Sequence, residues 1–259
     1  MAALSSAGAD LTLTNTNYVT MTESDTNPLT TASPYPSSIT VSGLTGQVIT
    51  HLAVTLNGFS HSFPSDANVL LAGPSGQTAV LMAGAGGQDD FPVTNLTMSF
   101  DDDSPTHLPI LDSLYSGAFQ PGAFSLPLDF DFPSPAPPGN SNSPAALSIF
   151  NNTDPDGVWR LYVLDNFPGT ESGSISGGWT LDITTGVPLS IHPVGTNYLA
   201  FSWPIVSGQT FVLQSTLNLI DSNGWSNVSG SPVQLGGFNV LSNATSQSNK
   251  IKYFRLLGQ

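Results

Sequence analysis

The chain has 259 residues, 39% of them hydrophobic and only 8% charged, against roughly 25% charged in ordinary soluble domains. The apolar share excludes a disordered chain, the absence of cysteine excludes disulfides and thiolate metal sites, and no apolar run reaches the roughly 18 residues that a membrane-spanning helix needs. The formal charge of −14 is unevenly placed: residues 1–185 hold 17 acids against the single base Arg160, and residues 186–259 hold Asp221 against Lys250, Lys252 and Arg255. An acidic body of this kind repels nucleic acid and anionic lipid, and so argues against both as partners.

Residues 1–35 are rich in Thr, Asn and Ser, and their alternating Leu11, Leu13, Val19 and Met21 predict short strands in an N-terminal extension. Such strands suit addition to a sheet edge, of the same subunit or of a neighbouring one, and so a route to self-assembly. The first ten residues have neither the basic nor the apolar segment of a signal peptide. That leaves a cytosolic protein or an exported one whose signal has been removed, and the polar, cysteine-free composition favours the second, a bacterial protein that is secreted or held at the cell surface. Strands are predicted next at 38–41, 48–56, 69–71, 79–82 and 96–100, separated by Gly43, Asn57-Gly58, and the Gly-rich turns at 73–76 and 84–87. Turn signals at this density predict an all-β sandwich or jelly roll. The one helical candidate is a short turn over 109–115. Residues 117–144 form a loop with seven prolines, and Phe119, Phe124, Phe130 and Phe132 are expected to pin it to the sandwich. A strand is expected over 145–150.

The stretch NNTDPDGVWRLYVLD (residues 151–165) places Trp159, Leu161 and Val163 on one side of a strand. GSISGGWTLDI (residues 173–183) does the same with Trp179, Leu181 and Ile183. Together they predict an antiparallel strand pair with one buried face. Beyond residues 184–188 acids almost vanish, and six short strands over 198–203, 209–214, 225–228, 233–235, 239–241 and 251–256 predict a second, small antiparallel β-sandwich. The expected division is therefore 1–35, 36–185 and 186–259.

The middle region resembles the P domain (P/Homo B domain) of proprotein convertases. The resemblance rests on PSSITVSGLTG (36–46), VTLNGFSH (54–61), DANVLLAGPSG (66–76, with Ala67 where Leu is usual), residues 151–165 (with Asp156 in place of Asn) and residues 173–183, all in the family's order. It implies a jelly-roll β-sandwich and a structural role for His61. P domains usually follow a subtilisin-like protease, whose His and Ser motifs this chain lacks, so the resemblance is to the protease-free bacterial extracellular form. LAFSWP (199–204), FVLQSTLNL (211–219), WSNV (225–228) and YFRL (253–256) resemble the small C-terminal β modules of secreted bacterial proteins.

A hydrolytic triad needs a nucleophile, a base and an orienting acid, and none of His51, His61, His107 and His192 stands in such a pattern. The carboxylates are the stronger lead. Asp101, Asp102 and Asp103 follow a strand end, and Asp154, Asp156 and Asp165 flank the Trp159 strand. Adjacent like charges repel unless solvated or neutralised, and oxygen-rich loops suit Ca²⁺ at about 2.3–2.6 Å. These six are candidate calcium ligands, and Asp89-Asp90 is a further acidic turn. The alternative is that each Asp caps its own turn. Calcium is also what the resemblance to bacterial P domains implies. Trp159, Trp179 and Trp203 read as core; Trp225 is the most exposed candidate for stacking on a sugar. The leading expectation is a non-catalytic extracellular structural or adhesion protein. The alternatives are an accessory module of a secreted hydrolase and a carbohydrate-binding module.

Overall fold

The computed structural model describes residues 3–4, 6–22, 29–87, 91–169, 171–221, 223–244 and 252–259. The chain is all-β, with no α-helix among the described residues. In chain order its strands are β1 (Ala3–Leu4), β2 (Ser6–Asn15), β3 (Val19–Thr22), β4 (Thr30–Thr31), β5 (Ser37–Val41), β6 (Val48–His61), β7 (Ala67–Ala72), β8 (Thr78–Ala83), β9 (Val93–Asp101), β10 (Gly117–Phe119) and β11 (Gly122–Ala123). They continue with β12 (Gly157–Asp165), β13 (Ser172–Ile175), β14 (Trp179–Val187), β15 (Ser190–Val194), β16 (Tyr198–Pro204), β17 (Phe211–Thr216), β18 (Ser226–Asn227), β19 (Val233–Leu235), β20 (Phe238–Ala244) and β21 (Tyr253–Gly258).

Two sheets make the first sandwich. One runs β10-β9-β6. Beyond β6 lie β14 and β13 in line, with β2 outside β14 and β3 outside β13. The other runs β11-β8-β7-β12, with β4 and β5 in line outside β12. Period-two alternation puts one side of each strand into the space between the sheets. Val54, Leu56 and Phe59 of β6, Val69 and Leu71 of β7, and Phe100 of β9 all reach zero exposure there.

The strand pair expected from residues 151–183 does not form. β12 pairs β5, β7 and β4, whereas β13 and β14 pair β6 in the other sheet. Trp159 and Trp179 therefore meet in one core from opposite sheets. Nor does β12 have a single buried face, because Tyr162 and Leu164 on its other side are buried as well. The cover is the proline-rich loop. Leu128 and Phe132 of the loop pack on Leu70, Val80, Tyr162 and Leu164. The Tyr35 and Tyr162 hydroxyls donate to the Pro133 and Pro135 carbonyls at 2.9 and 3.0 Å. Asn140 ties the loop to itself, accepting from the Phe132 N–H and donating to the Phe132 and Pro137 carbonyls. Of the four loop phenylalanines, Phe119 lies in the main core, Phe132 and Phe130 belong to this outer layer, and Phe124 is exposed.

The segment read as an extension is built into the sandwich. β2 and β3 pair β14 and β13 of the same chain, Val19 and Met21 are core residues, and Leu11 and Leu13 pack against that core. β1 lies parallel to the last strand, β21. Gly178 explains how β13 leads into β14: its φ is +69°, and a Cβ there would stand 1.9 Å from the Asn15 carbonyl oxygen of β2, so only glycine fits.

Two local expectations fail. Residues 147–150 form a 3₁₀ turn (Leu147–Phe150) instead of a strand, because the Asp102 carboxylate takes its first two N–H groups. Residues 109–115 contain bends and no helix. The C-terminal region is a pair of small sheets, β15-β16-β20-β19 and β1-β21-β17-β18. Phe201, Trp203, Leu213, Leu241, Phe254 and Leu256 lie between them.

Candidate functional site

Strand register builds a close group of metal-ligating side chains. Ala53 of β6 stands opposite Asp101 of β9. His51 is two residues from Ala53 on the same face, and it therefore meets the turn that leaves β9. His51 Nε2 lies 2.9 Å from Asp101 Oδ1 and 3.6 Å from Asp103 Oδ2. Asp101 Oδ1 also accepts the Asp103 N–H at 2.8 Å. Among the described residues these three are the only group of three such side chains whose ligand atoms all lie within 4.8 Å of one another. The site is open: the His51 and Asp101 side chains are partly exposed and Asp103 is 85% exposed. Two carboxylates fall short of the six to eight oxygens that calcium takes, so water would have to complete its shell. The imidazole nitrogen suits a borderline metal as well.

The other candidate ligands are occupied by backbone. Asp102 accepts the Leu147 and Ser148 N–H groups at 2.8 and 2.7 Å. Asp154 accepts the Asp156 N–H at 2.9 Å within its own turn. Asp156 reaches across to the loop after β5, accepting the Leu44 N–H at 3.0 Å and the Thr45 hydroxyl at 3.3 Å. Asp165 accepts the Phe167 N–H at 3.0 Å. Asp89 and Asp90 lie outside the described residues.

Asp165 belongs to a second polar group, enclosed by the ends of β6 and β12. Its side chain and that of His61 are fully buried, with His61 Nε2 3.1 Å from Asp165 Oδ2. This approach lies off the line of a good hydrogen bond, and among the described residues neither atom has another partner. His61 Nδ1 accepts the Phe63 N–H at 3.1 Å, which leaves the ring proton on Nε2, facing the carboxylate. Asp66, in a short 3₁₀ turn after β6, is the third member. Burial, and after it the Asp165 and Glu171 charges, push its carboxyl up to about 6, with His61 and Ser65 acting in the opposite direction. The His61 side chain has no solvent access. The cluster joins strand ends.

The C-terminal module holds an open cleft of about 400 Å³ lined by Thr216, Leu217, Asn218, Asp221, Ser226 and Lys252, among others. Trp225 stands near it but is not a bare platform: the Arg255 guanidinium carbon sits 4.2 Å from its ring centroid, and Arg255 also donates to Gln214 Oε1 at 2.9 and 3.0 Å. His107 and His192 are exposed. Sequence reasoning missed His51 and Asp66. The first could have been found only from the β6–β9 register, and the second only from knowing that its turn is buried. Comparison of the chain with family models, with characterised proteins and with solved structures returned no match. Among the described residues no helix is long and apolar enough to cross a membrane.

Proposed function

We propose that the chain is a non-catalytic extracellular structural or adhesion protein, with a P-like jelly roll as its first sandwich and calcium as a stabilising ion. The observation that carries the structural part is what the acidic side chains do. Asp102, Asp154, Asp156 and Asp165 each accept backbone N–H groups that would otherwise lack partners, so the acids of the turns hold loops onto the sandwich. The calcium part rests on His51, Asp101 and Asp103, the group among the described residues whose ligand atoms lie close enough together to share an ion. Melting the protein in EDTA and then in calcium tests it. A rise in melting temperature on adding calcium, lost in Asp103→Asn, supports the ion, and superimposable curves remove it. Self-association through β2 and β3 would take either exchange of those strands between copies or pairing through their outer edges, since β2 lies outside β14 and β3 outside β13. Light scattering of native material, giving monomer or polymer, decides that point.

A carbohydrate-binding role is the second reading, favoured by the cleft beside Lys252. Its hydroxyls, the Asn218 amide and the Asp221 carboxylate are the groups that hydrogen-bond sugar hydroxyls. A glycan array on the wild type and on Lys252→Ala tests this, and an array without hits ends it.

A further inference from the structure

The chain contains two Asn-Gly pairs, Asn57-Gly58 and Asn223-Gly224, and the fold treats them in opposite ways. In such a pair the following backbone nitrogen reaches the side-chain amide carbon with least hindrance, because glycine has no Cβ and the widest backbone freedom. Asn57 lies inside β6. Its N–H donates to the Gly178 carbonyl at 2.9 Å and its own carbonyl accepts the Gly177 N–H at 2.8 Å. Its side-chain amide donates to Thr180 Oγ1 at 3.1 Å. Gly58 is buried, and the place where a Cβ would sit is filled by Ser176 Oγ, 2.2 Å away. Bringing the Asn57 amide carbon onto the Gly58 nitrogen would require opening the ladder between β6, β9 and β14.

Asn223 is exposed, in the loop between β17 and β18. Its backbone N–H donates to Asp221 Oδ1 at 3.0 Å, and the Gly224 N–H donates to the Asp221 carbonyl at 3.1 Å. Its side-chain amide makes no hydrogen bond among the described residues. One turn bond on an exposed loop is all that holds the Gly224 nitrogen.

We propose that Asn223 is a site of spontaneous deamidation. The Gly224 nitrogen, giving its proton to water or hydroxide, attacks Asn223 Cγ. The new C–N bond closes a succinimide ring, the Cγ–Nδ2 bond breaks, and ammonia leaves carrying that proton. Water then adds to either ring carbonyl and opens the ring to aspartate or isoaspartate. The balance is one water consumed and one ammonia released, with no redox change. The product places a second carboxylate beside Asp221, at the cleft that Lys252 lines. In the isoaspartate form, the added backbone carbon rewrites the turn that closes on Gly224.

Peptide mapping by mass spectrometry, on the full chain held in warm, mildly alkaline buffer with and without urea, tests the proposal. In the folded chain the mass gain of amide-to-acid conversion is expected at Asn223 at least about tenfold faster than at Asn57, since strand opening controls the latter. In urea the two rates should converge. Asn223→Gln should abolish the acidic species on ion exchange. Equal rates in the folded chain overturn the proposal, and so does an Asn223 that stays intact when folded, whether or not it converts in urea.

Discussion

The two halves of this molecule bury their sheets differently. In the first sandwich the β11-β8-β7-β12 sheet is covered on both faces, by the opposite sheet and by the proline-rich loop whose Leu128 and Phe132 lie on Leu70 and Tyr162. In the C-terminal module the described residues cover the β15-β16-β20-β19 sheet on one face only. On its open face Val233 and Leu235 of β19 are 68% and 70% exposed, with Phe238 of β20 beside Leu235 at 46%. The acids divide the same way, nearly all of them falling in the first half. Stability should therefore sit in the first sandwich, in its doubly covered core, while the module's exposed strands contribute little to it.

The largest expected effect is at the shared core. Trp159 is fully buried, packs edge-on against Phe150 at a centroid distance of 5.0 Å, and donates its indole N–H to the Pro155 carbonyl. Trp159→Ala should cost about 3–5 kcal/mol, read by urea denaturation with circular dichroism. A loss below about 1 kcal/mol would mean that the two sheets do not meet there as described.

Next comes Asp66. Its folded carboxyl titrates near 6, above its ordinary value of 3.8, so the folded chain holds this proton more tightly than the unfolded chain does. That contribution to stability is complete below the ordinary carboxylate range and is lost as pH rises through 6. Asp66→Asn carries no charge at any pH. Its advantage over wild type should be nil below about pH 3 and grow to about 2 kcal/mol at pH 7. If Asp66→Asn is instead the less stable form at pH 7, the ionised carboxylate has a favourable partner, such as a cation.

Asp102 separates capping from metal binding. Its two bonds to the Leu147 and Ser148 N–H groups are those of a cap, and Asp102→Ala should cost about 1 kcal/mol, equally with EDTA and with calcium. A cost that appears only with calcium present would return Asp102 to the list of ligands.

These sites also show what the sequence could reveal. Alternation identified which side of β12 and β14 meets the core, because a buried face leaves a period of two in the residues. It could not say that the two strands belong to different sheets, since alternation names the buried side and not the neighbour. Asn57-Gly58 reads as a turn that ends the strand over 48–56, yet β6 continues through it: Gly58 takes φ +75° and the β6–β9 register shifts there, so the pair marks a bulge. The carboxylates were visible as clusters along the chain; Asp154 and Asp165 cap their own turns two residues on, but the partners of Asp102 and Asp156 lie far off in sequence. Asp102 caps a turn 45 residues away, and Asp156 reaches back 112 residues to Leu44. The group that does assemble, His51 with Asp101 and Asp103, depends on a pairing between strands 50 residues apart.

The smallest expected effect tests the open face. Val233 and Leu235 pair with Val240 and Phe238 across the β19–β20 ladder, and among the described residues β19 has no strand on its other side. Truncating or polarising exposed side chains on an edge strand removes little buried area. Leu235→Ser should therefore change folding stability by less than about 0.5 kcal/mol. Exposed apolar side chains on an unpaired edge do favour association between chains, so the same variant should be less prone to aggregate on concentration, as read by light scattering. A loss of several kcal/mol would mean that this face is covered after all and that the two halves are alike in how they bury their sheets.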